Sequence, residues 1–307
     1  MSSAALKRHT KTALPGFGLT LGLSMTYMSL LVLIPLGGLL LYSTKVSLER
    51  FIEIALDPRT FAAFKISFGT SFLAACVNAV FGLILAWVLT RYKFFGRKFL
   101  DSIIDLPFAI PTAVAGISLT AIFAKNGILG QFFAPISVKD PTMVLWVKEH
   151  LFSHFIPDDG VSISYSEIGI TIALTFIGLP FIVRTVQPVI EELDKELEEA
   201  AITLGASYWT TFRRVIFPSI YPALLTGFAL AFARGLGEYG SVIFISSNKP
   251  YETEIVPLLV FMQLMEYDYE EAAAIGVLML VCTFVLLLLI NFLQTFARRR
   301  GKVKANA

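Results

Sequence analysis

Long apolar runs separated by short charged segments pattern this chain from end to end. Residues 12–44, 66–90, 106–124 and 272–297 contain no charged side chain. A further run, 168–190, is interrupted only by Arg184, and another, about 219–246, carries Arg234 and Glu238 inside it. A membrane-crossing helix needs about 20 mainly apolar residues. The pattern therefore predicts six spans in a single domain covering 1–307, at about 17–43, 62–90, 103–124, 167–188, 219–246 and 271–297. Backbone polar groups in lipid must be satisfied within the segment, so these spans are helices. The runs are continuously apolar, whereas the strands of a membrane barrel alternate. The expected fold class is an all-α integral membrane protein.

Charge placement adds an orientation. With six spans both ends lie on one side, and positive residues mark the cytoplasmic side. If the N-terminus is inside, the inner segments collect fifteen Lys and Arg, among them Arg91, Lys93, Arg97, Lys98, Arg213, Arg214 and the Arg298–Arg300 run. The outer segments collect eight, so both termini are expected in the cytoplasm. Segment 191–218 is then an inner loop and 125–166 an outer one. Lys7, Arg8 and Lys11 precede the first run as in a signal peptide. That run is far longer than the roughly 7–15 residues of a cleaved signal core, so an uncleaved first span fits.

Composition agrees with this class. Hydrophobic residues make up 56% and charged residues 16%, against about 45–50% and 25% in soluble domains. A net charge of +2 gives no reason to expect nucleic acid. Cys76 and Cys282 fall in apolar runs and imply buried thiols, with no disulfide framework. His150 and His154 stand one helical turn apart, but a third metal ligand is missing. The outer connection containing them is either an amphipathic surface helix or an irregular loop.

The inner loop 191–218 carries more order than a connector needs. Glu198 and Glu199 suit the start of a short helix, where the macrodipole favours negative charge. Ala200 and Ala201 leave a slim face, Gly205 allows a sharp turn, and Pro218 marks the start of the next span. Two readings stand on the residues alone. One is an interfacial helix with Arg213 and Arg214 on anionic lipid; the other is a face that a partner protein approaches.

Glu199-Ala200-Ala201, three residues, Gly205, nine residues and then Val215-x-Phe217-Pro218 resembles the EAA loop of permeases in ATP-binding-cassette importers. Val215 and Phe217 stand where that family usually has Ile and Leu. Phe81 to Tyr92, Asp105 to Gly116, Pro180 to Pro188 and Arg234 to Ile245 extend the match. They resemble the T-type permeases of bacterial sulfate/thiosulfate importers, over about 64–299. The outer loop looks extended relative to that family.

The resemblance implies a type I importer permease fold in the bacterial inner membrane and a transport subunit without catalysis of its own. Glu198, Glu199, Ala200, Ala201, Gly205 and Pro218 would couple this chain to an ATP-binding-cassette ATPase dimer. It further implies a second, W-type permease and a periplasmic sulfate/thiosulfate-binding protein, within a lipid bilayer. No cofactor is implied on this chain, because ATP and magnesium are used by the ATPase. Consistently, no G-x-x-x-x-G-K-[ST] phosphate loop occurs in the sequence. Molybdate, tungstate or another oxyanion is the alternative substrate.

A charge inside the membrane costs at least about 2.5–3.5 kcal/mol, so Arg234 should face protein or water. Glu238, one turn on, can pair with it. The pair either positions helices, or Arg234 shapes the potential along an anion pathway while Glu238 holds it. Gly235, Gly237 and Gly240 would permit close approach by the neighbouring permease or an opened helix. Pro107 and Pro111 are kink or gate candidates. Arg184, near an inner helix end, is expected to snorkel to the interface. A membrane-embedded enzyme is disfavoured, since the spans contain no histidine and no paired carboxylates of the kind acid–base chemistry uses. An ion-coupled secondary transporter would leave the ordered inner loop without a role.

Overall fold

The computed structural model describes residues 17–134 and 161–305, without the side chains of Lys195 and of 293–305. Lys7, Arg8, Lys11, the His150/His154 pair and most of the 125–166 connection lie outside the described residues. Within them the chain forms α1 (Phe17–Ser43), α2 (Leu48–Leu56), α3 (Pro58–Arg91), α4 (Arg97–Ile104), α5 (Leu106–Ala109) and α6 (Thr112–Phe123). After the outer connection come α7 (Glu167–Glu191), α8 (Lys195–Thr203), α9 (Tyr208–Thr211), α10 (Phe217–Leu236), α11 (Val242–Ile245), α12 (Val256–Met265) and α13 (Tyr269–Ala305). No strand occurs among the described residues. Five helices there are long and apolar enough to span: α1, α3, α7, the stretch Tyr208–Leu236 that ends in α10, and α13 through Phe292.

Local chemistry sets the helix starts. Ser47 caps α2 by accepting the Arg50 N–H at 3.2 Å. Asp57 then closes α2 and caps α3, accepting from the Arg59 and Thr60 N–H groups at 2.9 and 3.0 Å, with Pro58 in the first turn. Ser166 caps α7 through the Gly169 N–H.

The centre of the bundle is α3 against α7 and α10. Small residues let these backbones meet, as expected where lipid removes the hydrophobic drive between helices. A Cβ on Gly82 would stand 2.7 Å from the Ile182 side chain, and one on Gly178 2.5 Å from Asn78. Helix α1 buries none of its residues fully; only its C-terminal part, with Leu39 facing Gly276, packs on α13, and the rest of its apolar surface faces outward from the bundle.

The third apolar run is not one helix. Pro107 lies in the first turn of α5, Ile110 is extended (φ −93°, ψ 132°) and Pro111 precedes α6. Proline forces the residue before it out of the helical region, so Pro111 extends Ile110 and separates α5 from α6, while Pro107 lacks the N–H that would continue α4 into α5. The run 219–246 also differs from a continuous span: α10 ends at Leu236, and a turn leads into the four-residue α11.

Ten mainly apolar residues, too short to cross a bilayer, form α12, which the hydropathy pattern does not single out. Ser67 Oγ on α3 accepts the Val256 N–H at 2.8 Å, and Arg59 grips the buried Glu254 through Nε and Nη2 at 2.8 and 2.7 Å. These bonds seat the start of α12 on the first third of α3.

Candidate functional site

Segment 191–218 forms two capped helices around a tight turn. Asp194 accepts the Glu196 N–H at 3.0 Å to start α8. Its end is a Schellman closure. Gly205 sits at φ +85° and donates to Ile202 O at 2.9 Å, while Ala206 donates to Ala201 O at 3.0 Å. The left-handed backbone explains the glycine, and the closure consumes the carbonyl of Ala201. Ser207 then caps α9, accepting the Thr210 N–H at 3.3 Å. From Phe212 to Ile216 the backbone runs as a π-helical turn into α10, with Pro218 in that helix's first turn. Proline supplies no N–H there, and a widened turn accommodates the lost bond.

This segment presents apolar side chains to the outside. Leu204 is 89% exposed, Tyr208 84% and Trp209 68%. Glu199, Ala200, Gly205 and Pro218 are exposed too, and Ala201 is half-buried. An exposed apolar patch rimmed by charge is the mark of a protein or membrane contact. Glu198 departs from its neighbours, because it turns back to pair with Arg91 at the end of α3.

Arg234 lies in the last turn of α10 and pairs with Glu238 at 2.6 Å. Glu238 is 2% exposed, and its other oxygen accepts the Ser241 N–H and Oγ at 2.9 and 3.1 Å. The carboxylate therefore braces the turn that separates α10 from α11. Close approaches by the glycines are made within the chain. Gly235 faces Ser71 of α3, and a Cβ on Gly240 would stand 2.3 Å from Thr112 Oγ1. Gly237 is exposed, with open space where a Cβ would go. Pro107 is half-buried and Pro111 exposed, at the two breaks of the third run.

Arg184 does not snorkel. Its Nε and Nη2 hold Asp105 at 2.8 and 2.6 Å, Nη1 reaches Asp101 and Gln187 at 2.7 and 2.8 Å, and Nη2 also donates to Asp101 O at 2.9 Å. With acceptors on α4 and at the α4–α5 junction in reach, the guanidinium spends its fork inside the protein. Beside it Phe108 meets Phe181 edge-on, 5.3 Å between centroids. Among the described residues no cluster of three or more His, Cys, Asp or Glu could hold a metal ion.

Residues 78–303 match the family described as binding-protein-dependent transport system inner membrane component. The sulfate transport system permease protein CysT of Salmonella typhimurium is 43% identical over 94% of this chain and 97% of its own length. The CysT protein of Synechococcus elongatus is 45% identical over 89% of this chain and 90% of its own. Among solved structures, a bacterial ABC transporter importing the acidic polysaccharide alginate superposes with a TM-score of 0.71 at 17% identity, covering 91% of this chain and 96% of that one. The same kind of transporter bound to an alginate-loaded periplasmic protein gives 0.69 at 19% identity, covering 90% and 93%. At these identities the structural likeness speaks for the fold.

Proposed function

The chain belongs to the binding-protein-dependent permeases of ATP-binding-cassette importers, with their type I fold, and from that premise we propose that it is the permease subunit of a sulfate/thiosulfate importer. It is a multi-pass inner-membrane protein of a transport family in which ATP hydrolysis belongs to a separate subunit. The substrate comes from the CysT relatives. The observation that carries the coupling role is the 195–211 segment, where two capped helices hold Glu199, Ala200, Leu204, Tyr208 and Trp209 outward around the Gly205 turn.

In this reading the segment sits in a groove of an ATPase, and two ATPases closing on ATP move two permeases between inward- and outward-open forms. The second permease is a W-type subunit, and a periplasmic sulfate/thiosulfate-binding protein delivers the anion. The fifteen Lys and Arg of the inner segments, against eight in the outer ones, support both termini in the cytoplasm. Arg234 biases the shared pathway toward anions, with Glu238 fixing its place, and Pro107, Pro111, Gly235 and Gly237 shape the route.

Sulfate uptake in cells lacking this subunit, restored by the gene and competed with sulfate, thiosulfate, molybdate or tungstate, tests the proposal. Restored uptake competed by sulfate and thiosulfate supports it. Competition by molybdate or tungstate alone reassigns the substrate, and a purified complex without an ATPase overturns the importer reading.

A further inference from the structure

Glu198 and Glu199 are sequence neighbours with opposite orientations. Glu199 faces outward, whereas Glu198 pairs with Arg91, the last residue of α3. Both members of that pair are largely withdrawn from solvent, at 15% and 22% exposure. Exposed ion pairs constrain little, but a withdrawn pair holds its elements together, because separating it strands a charge.

The pair matters because α8 has almost nothing else to hold it. None of its described side chains is buried, so no hydrophobic anchor fixes the helix against the bundle. Its neighbours are α9 and the π-helical turn, the segment's own continuation. Short connections at 192–194 and 204–207 join it to the chain, and a push on α8 could be absorbed by bending them. The Glu198–Arg91 bond bypasses both and leads directly into a spanning helix.

From Arg91 the contacts continue. Its guanidinium lies over the Trp87 ring at 5.2 Å, and Trp87 meets Phe212 edge-on at 5.9 Å. Phe212 stacks on Trp209 at 5.7 Å and touches Phe217 at 6.0 Å, which reaches Tyr221 on α10 at 5.8 Å. The end of α3 is thus linked by charge to α8 and by aromatic rings to the root of α10. Arg91 Nε and Thr211 Oγ1, next to Phe212 in sequence, are buried without a hydrogen-bond partner among the described residues.

We infer that Arg91 is a positioning residue that transmits displacement of α8 to α3 through Glu198, while the outward face at Glu199 only receives the partner. The inference rests on the coupling role proposed above. Arg91 itself is not part of the outward face.

The test uses the complete transporter in proteoliposomes, measuring copurified ATPase, ATP hydrolysis and sulfate uptake separately. Arg91→Ala is expected to retain the ATPase and its hydrolysis yet lose at least about fivefold in uptake per ATP, the low end of typical coupling free energies. The exchanged pair Arg91→Glu with Glu198→Arg is expected to recover much of that ratio at unchanged ATPase content, which places the effect in the pair; a merely stabilising pair would change abundance and hydrolysis together and leave uptake per ATP unmoved. If Arg91→Ala does not accumulate in the membrane, Arg91→Gln replaces it, keeping most of the bulk and losing the charge, and the same ratio decides. An unchanged ratio in the single variant, or an assembled exchange that recovers nothing, overturns the strut. Loss of the ATPase from Arg91→Ala also overturns it, by making Arg91 part of docking. Absence of ATPase from the wild-type complex instead sinks the proposed function.

Discussion

Arg184 grips Asp105 with two edges of its guanidinium, Nε to Oδ1 at 2.8 Å and Nη2 to Oδ2 at 2.6 Å. The two residues sit on opposite sides of a join: Arg184 in the spanning helix α7, Asp105 between the short helices α4 and α5. Because proline breaks the third apolar run at two places, that run cannot fix its own direction by continuous backbone bonding. The ion pair, with Asp101 and Gln187 as further acceptors, supplies the missing constraint and ties the start of the run to α7.

Replacing Arg184 with Ala should loosen α4 and α5 and lower stability by about 2 kcal/mol, the scale of charged hydrogen bonds discounted for a site about one-third exposed. Arg184→Lys should recover only part, because an ammonium cannot make the paired contact. Thermal unfolding midpoints in detergent would rank wild type above Lys and Lys above Ala. An Ala variant that melts with wild type would show that the cluster constrains nothing.

Gly205 sets a second expectation. Its φ of +85° lies in the left-handed region, where a side chain costs about 1–2 kcal/mol and a β-branched one more. Open space surrounds the position where a Cβ would go, so the penalty is conformational and not steric. Gly205→Val should therefore distort the Schellman turn without disturbing the bundle. Membrane abundance should remain near wild type while sulfate uptake collapses. Normal uptake by a well-inserted variant would remove the turn from the coupling role.

The membrane class was legible because a charge-free run of about 20 residues is a one-dimensional signal that needs no knowledge of neighbours. Backbone continuity was not. Hydropathy records which residues sit in lipid or protein, so the apolar Val242–Ile245 concealed the end of α10 at Leu236. In the third run the signal was present in Pro107 and Pro111, but it located the breaks without showing where the pieces go. The acidic partners of Arg184 lie 79 and 83 residues away, and Arg91 is 107 from Glu198. Nothing in local spacing announces such pairs. Gly205 stood out because a turn glycine between short helices is a local requirement, and the structure adds its reason, the closure onto Ile202 and Ala201.

For Arg234 and Glu238 the two readings separate by a double substitution. Arg234→Ala strands a carboxylate that is 2% exposed, although Ser241 still donates to it. The cost should be about 2 kcal/mol, below that of breaking a fully buried pair because Arg234 itself is 36% exposed. Neutralising both residues, Arg234→Ala with Glu238→Gln, should return most of that stability, since no unpaired charge remains. Uptake then decides. Recovery along with stability makes the pair structural, whereas loss despite recovered melting assigns Arg234 to the anion pathway.

The contact of α6 with the turn after α10 gives the most selective test of the fold. A Cβ on Gly116 would stand 2.4 Å from the Ser241 carbonyl oxygen, and one on Gly240 2.3 Å from Thr112 Oγ1. Neither distance is tolerable, so each Gly→Ala should cost about 1–3 kcal/mol by overpacking. The obstacles differ in kind. At Gly240 the nearest atom is a side-chain hydroxyl that Thr112→Ala removes, leaving the residue-112 Cβ at 3.3 Å, a tight contact that a shift of a few tenths of an ångström relieves. At Gly116 it is backbone, which no substitution can remove. Thermal unfolding of a double-mutant cycle should therefore show strong rescue of Gly240→Ala by Thr112→Ala, with a coupling well above the roughly 0.3–0.5 kcal/mol expected of independent sites. Gly116→Ala should show no such rescue. Equal responses at the two glycines would mean that α6 does not lie against this turn in the assembled transporter.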